Sequence, residues 1–155
     1  MSEVYLRPMT AEMYHAYFRE YENDPALYPD GAGFAPYIYD PEKVDRYIQR
    51  QIDLKRKCFA VLCDGELAGE LILKDIEPRR RATLSICMKN AGYKGRGIGT
   101  RAEALAAEYA FNELGVPALF ADALRTNARS RHVLEKVGFV ETGRDETFVY
   151  YCMRK

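Results

Sequence analysis

Lys94-Gly95-Arg96-Gly97-Ile98-Gly99-Thr100 runs directly into a segment with helical periodicity. Over residues 101–114, Ala102, Leu105, Ala106, Tyr109 and Ala110 recur at the spacing of one helix face. Glycines at alternate positions let the backbone turn sharply and approach a ligand closely. A helix opened by such a turn aims unpaired N–H groups and the positive end of its dipole at one point, which suits a phosphate or pyrophosphate. Lys94 and Arg96 add positive charge at the same mouth.

The spacing excludes the two familiar nucleotide loops. A P-loop has four residues between its glycines and a Lys-Ser/Thr pair after the second, whereas Gly99 is followed by Thr100 and Arg101. The dinucleotide fingerprint Gly-x-Gly-x-x-Gly does not fit glycines at 95, 97 and 99. A second segment lies some thirty residues on: Asn127-Ala128-Arg129-Ser130-Arg131-His132-Val133-Leu134-Glu135-Lys136-Val137-Gly138-Phe139.

The first segment resembles the pyrophosphate loop of the GNAT acetyltransferases, Arg/Gln-x-x-Gly-x-Gly/Ala at a helix start, with Lys94, Gly97 and Gly99 filling the pattern. The second is similar to that family's other acyl-CoA motif. Its Asn-x-x-Ser-x-x-x-Leu-Glu-Lys-x-Gly-Phe form is most like the branch that acetylates the N-terminal amines of ribosomal proteins. The resemblance implies a single N-acetyltransferase domain over residues 1–155 and acetyl-CoA as co-substrate. It also implies direct transfer to a primary amine, either a protein N-terminus or a small molecule. The pyrophosphate would rest on Lys94, Gly95, Arg96, Gly97, Ile98, Gly99 and Thr100. The pantetheine arm, itself an amide chain, would pair with the backbone of Ile86, Cys87 and Met88, and Asn127 and Ser130 would hydrogen-bond it. Both also suit the start of a helix, Asn127 as N-cap and Ser130 in the first turn.

Composition agrees with an enzyme-sized domain. The chain has 155 residues, 48% of them hydrophobic and 30% charged, with a formal net charge of +0. That balance gives no general attraction to nucleic acid or anionic membrane. No apolar run approaches the length of a spanning helix, and the first residues lack a secretory layout, so a cytoplasmic location is expected. Cys58, Cys63, Cys87 and Cys152 fall in apolar, strand-like runs without metal-ligand spacing to each other or to His15 and His132. They read as four buried, reduced thiols, and no metal site is expected.

Alternating elements predict a mixed α/β fold, with a central, mostly antiparallel sheet flanked by helices. Residues 4–7 read as a strand. A helix started by Thr10 follows, with Tyr14, Tyr17, Phe18 and Tyr21 on one face as a core stripe. Asp40-Pro41 starts a second helix to about residue 55, with Val44, Tyr47, Ile48 and Leu54 inward. Residues 58–63 and 66–76 flank Asp64-Gly65, a strong hairpin signal, and Arg79-Arg80-Arg81 reads as the next turn. Further strands are expected at 83–88, 117–124, 139–142 and 147–153, with helices at 101–114 and 127–137. Gly138 stands where a helix C′ glycine belongs.

The acid–base pair is less legible. In the ribosomal branch a glutamate precedes the glycine loop in an Ala-Glu-Leu-Gly context, but the matching position here is Thr83. A tyrosine acid common in the second motif is replaced by Leu134. Glu70 is a candidate base, against the alternative of an exposed strand carboxylate. Ser130 is the candidate acid for the leaving thiolate, with Tyr150 or Tyr151 as substitutes, one of which alternation should bury. The long loop at residues 24–39 suits an acceptor pocket. There Asp24 and Asp30 would attract a cationic amine, and Tyr28, Phe34 and Tyr37 would form apolar walls. An acyl-CoA sensor lacking chemistry is the alternative function, and self-association as a homodimer is left open.

Overall fold

The computed structural model describes residues 2–28 and 33–155. Seven strands form one sheet in the order β1-β2-β3-β4-β5-β7-β6. β1 (Val4–Pro8), β2 (Lys57–Cys63), β3 (Glu66–Glu77) and β4 (Arg81–Met88) make an antiparallel meander. β5 (Ala118–Leu124) lies parallel to β4, and β7 (Phe148–Arg154) pairs antiparallel with both β5 and β6 (Val140–Arg144). The helices described are α1 (Ala11–Glu20), α2 (Pro41–Asp53), α3 (Ile98–Asn112) and α4 (Ala128–Val137).

Local chemistry sets the boundaries. The Thr10 hydroxyl accepts from the Met13 N–H at 3.1 Å, and Asp40 accepts from the Glu42 N–H at 3.0 Å ahead of Pro41. Asp64 and Gly65 both take positive φ, 51° and 83°, between the paired Cys63 and Glu66. That is the twist of a two-residue hairpin turn. α4 ends at Gly138, whose φ is 123°. Arg79 to Arg81 lie at the β3–β4 turn and the start of β4, and all three are exposed.

The single parallel pair positions the site. Parallel strands need a crossover, and α3 supplies it between β4 and β5. The β4–β5 ladder covers only Ala82, Leu84 and their neighbour Thr83 against Leu119, Ala121 and Phe120. Beyond Leu84, Ser85 to Met88 stay paired to β3 on one side, while β5 has diverged on the other.

The core differs from expectation at four places. Tyr14 and Tyr17 are buried, but Phe18 and Tyr21 are only half-buried. Leu54 is 48% exposed, because α2 ends at Asp53 and Leu54 is its C-cap, outside the helical stripe. On α3 the buried set is Ile98, Ala102, Glu103, Ala106, Ala107 and Ala110, with Leu105 and Tyr109 half-buried. All four cysteines are free, but only Cys63 and Cys152 are buried; Cys58 is half-buried and Cys87 exposed. Cys87 is exposed because it lies where β4 has lost its β5 neighbour. Tyr151 is 1% exposed and Tyr150 40%, the alternation expected along β7.

Candidate active site

The glycine loop meets the divergence of β4 and β5. Gly95 and Gly97 adopt φ of 71° and 77°, and Gly97 is the N-cap of α3. The first intrahelical bond runs from the Arg101 N–H to the Gly97 carbonyl at 3.1 Å. The N–H groups of Ile98, Gly99 and Thr100 therefore face out of the first turn, which holds no acidic residue. A hollow lined by Lys94, Gly95, Gly97, Ile98, Gly99 and Thr100 also reaches Arg129, His132 and Lys136 of α4. Its lining holds Lys94, Arg129, His132 and Lys136 and no acidic residue.

A second cavity continues from this hollow, sharing Met88, Lys94, Gly99, Arg129 and Val133 with it. Its walls include Ile86, Cys87, Met88, Asn127 and Ser130. The structure thus brings together the loop, the open end of β4 and the start of α4. Asn127 does cap α4, accepting from the Ser130 N–H at 3.1 Å, and it lines the cavity as well. Cys87 donates weakly to the Tyr21 hydroxyl at 3.7 Å, and the Tyr17 hydroxyl donates to the Cys87 carbonyl at 3.0 Å, fixing this end of β4 against α1.

A third cavity, of about 430 Å³, lies across a shared wall. Asp24, Phe34 and Tyr37 line it with Asn23, Pro25 and Pro36, and Tyr21, Glu22, Asp24 and Lys94 border both it and the second cavity. Tyr28 is set back from its lining and packs edge-on against Phe34 at 5.5 Å. Asp30 lies outside the described residues. Asp24 bonds Lys94 at 2.7 Å, so the carboxylate expected to face the amine and the lysine expected to face the pyrophosphate hold each other.

Glu70 is placed differently from both readings of it. It is 6% exposed rather than a surface carboxylate, and it is absent from the linings of the cavities above. Tyr47 donates to its two oxygens at 2.7 and 2.8 Å. Glu70 pairs in register with Cys87, so it sits one strand behind the cavity. Burial raises its carboxyl above the usual range, with the Tyr14 and Tyr47 hydroxyls beside it opposing that rise. The same burial, with the carboxylate nearby, pushes the Tyr47 phenol up.

One buried titratable residue at the site was absent from the sequence reading. Glu103 is 1% exposed and lines the second cavity as well as a small one among Leu84, Ser85, Ile86, Ala121, Asp122, Ser130 and Leu134. Burial pushes its carboxyl up to about 8. A signal was present: Gly99, Glu103, Ala106, Ala107 and Ala110 form one helical stripe, and an acid within a stripe of small apolar residues is conspicuous. Among the described residues no cluster of three or more histidine, cysteine, aspartate or glutamate side chains is arranged to hold a metal ion.

Known proteins share this architecture. Residues 3–140 match the model of the acetyltransferase (GNAT) domain, and the chain belongs to that family. Spermidine N(1)-acetyltransferase of Escherichia coli K12 is 35% identical over 109 residues, covering 70% of this chain and 58% of that protein. Aminoglycoside acetyltransferase AAC(6')-Ib in complex with coenzyme A superposes with a TM-score of 0.80 at 18% identity, covering 99% of this chain and 95% of that one. The RimL ribosomal L7/L12 α-N-protein acetyltransferase, also with coenzyme A, gives 0.77 at 16% identity over 97% and 93%. At these identities the two structures speak for the fold.

Proposed function

We propose that this chain is an acetyl-CoA-dependent N-acetyltransferase that passes the acetyl group directly to a primary amine. The observation that carries this reading is the loss of the β4–β5 ladder after Leu84, directly below a left-handed glycine turn at the start of α3. A pantetheine arm can then take β5's place along Ile86 to Met88, while α3 receives the pyrophosphate. A backbone N–H of β4 at the thioester oxygen would stabilise the tetrahedral oxyanion, an effect worth roughly 3–4 kcal/mol in other enzymes. The family and the relatives' amine acceptors, spermidine and a protein α-amine by name, support the reaction class.

The acceptor enters from the cavity lined by Phe34 and Tyr37. Asp24 and the exposed Glu22 stand on the wall between the two cavities and attract a cationic amine. Once attack has begun, the amine's proton passes to water at that wall; Glu70, behind Tyr47, is left to brace α2 against the sheet. Cys87 lines the cofactor cavity without serving as nucleophile, since transfer is direct.

Thiol release from acetyl-CoA, measured against a panel of polyamines, aminoglycosides and peptides with free N-termini, tests the proposal. Release that rises with one class of amine supports it. Tight acetyl-CoA binding with no amine-dependent release would make the chain a sensor of acyl-CoA instead.

A further inference from the structure

Glu103 carries a cost that the fold does not repay. Its Oε2 is buried and has no hydrogen-bond partner among the described residues. Leaving a carboxyl unsatisfied in an apolar helix stripe is unfavourable, and such groups call for an explanation beyond packing. The position itself is informative. Glu103 lies one turn beyond Gly99 on the same face of α3, and both border the cavity that receives the arm of the cofactor.

Ser130 is the second half of the observation. It borders the same two cavities as Glu103. A serine hydroxyl alone is a poor acid for a thiolate, because its own anion is far more basic. It works as a relay when another acid replaces its proton. The tyrosine that could have served directly is Leu134 here, a buried apolar residue.

Resting on the transferase reading above, we propose that Glu103 supplies the proton for the departing thiolate, delivered through the Ser130 hydroxyl. In the step, the amine nitrogen bonds to the thioester carbon, the C–S bond breaks, and its electron pair stays on sulfur. Sulfur takes the Ser130 proton, Ser130 takes one from a water in the small cavity it shares with Glu103, that water takes the Glu103 proton, and Glu103 is left as carboxylate. The nitrogen of the new amide loses its extra proton to water, and Glu103 regains one from water as products leave. Burial keeps Glu103 protonated near neutral pH, close to the range of a free thiol, which is where proton transfer is best matched. Glu103 acts through Ser130, so it is a positioning and proton-supplying residue rather than one that touches the substrate.

The test compares Glu103→Gln, Glu103→Leu and Ser130→Ala in single-turnover acetyl transfer, alongside acetyl-CoA affinity and thermal stability. Glu103→Gln keeps the shape and polarity of the side chain but has no acidic proton; the single-turnover rate should fall about 100-fold, the range of general acid catalysis. Its acetyl-CoA Kd and amine KM should stay within about twofold, and Glu103→Leu should be as stable as the parent or more so. Glu103→Gln combined with Ser130→Ala should lose little beyond either alone, as expected of one relay. A Glu103→Gln rate within about twofold of the parent, or losses that add in the double variant, would overturn the relay. A parent that binds acetyl-CoA and transfers to no amine would overturn the transferase reading itself.

Discussion

Gly97 holds φ 77° and ψ 2°, and a Cβ built there meets no atom within 4 Å. The cost of a side chain at this position is therefore backbone strain, about 1–2 kcal/mol for a left-handed residue, rather than collision. Gly97→Val should turn the first amides of α3 away from the pyrophosphate and weaken acetyl-CoA at least about tenfold by calorimetry. Gly99→Ala is the contrasting case. Its Cβ would sit 3.8 Å from Val133, an ordinary contact, so the fold should accept it. Tyr47→Phe removes both hydrogen bonds to the buried Glu70. It should cost about 1–3 kcal/mol in denaturant unfolding and leave acetyl-CoA affinity unchanged. Loss of transfer in Tyr47→Phe without loss of stability would return Glu70 to the chemistry. Replacing Cys87 with serine should leave the rate within about threefold of the parent if no acetyl-enzyme forms; collapse of transfer would indicate a covalent route.

The Asp24–Lys94 pair joins the loop before α2 to the loop before α3. It couples the two ligands, because the ammonium that would meet the pyrophosphate is held by a carboxylate that would meet the amine. Asp24→Asn should raise the KM of a cationic amine. It should also leave acetyl-CoA affinity equal or a few-fold tighter, as expected for a partly exposed pair worth about 1 kcal/mol or less. Weakening of both ligands would show that the pair holds the fold.

Much at this scale was legible. Capping residues, the Asp64-Gly65 turn and the glycine loop are local signals, and they located the elements to within a few residues. Leu54 misled because helical periodicity was extended past the cap that ends α2. Cys87 misled because an apolar strand reads as buried, and nothing in its neighbours tells that β5 will diverge. Glu70 was illegible in a deeper sense. Whether an acid on a strand or helix is exposed depends on what packs over it, and those partners lie far away in sequence.

The protein is held together by one continuous sheet that has a gap on one side of β4. Two acids buried in its interior, Glu70 and Glu103, both have raised carboxyls, and burial is the leading cause in each. The folded state then binds protons that the unfolded chain has released. Their stabilisation is fully present below the unfolded glutamate range near 4.5 and is lost as pH rises, for Glu103 through about 8. Asp145 and Glu141, both held low by hydrogen bonds on the surface, act only at the acid end. Stability should therefore fall by on the order of a few kcal/mol between mildly acidic and mildly alkaline pH. Denaturant unfolding of Glu103→Gln should show a flatter profile over that window. An equally steep fall in the variant would assign the dependence elsewhere.

The same architecture makes the central claim that the opening beside β4 and the turn before α3 are one cofactor site. Backbone amide hydrogen exchange with and without coenzyme A tests it most directly. Protection rising together at residues 85–88 and 97–100, with β1 and β6 unchanged, is the predicted result. Protection confined to the glycine loop, or none in either segment, would contradict it.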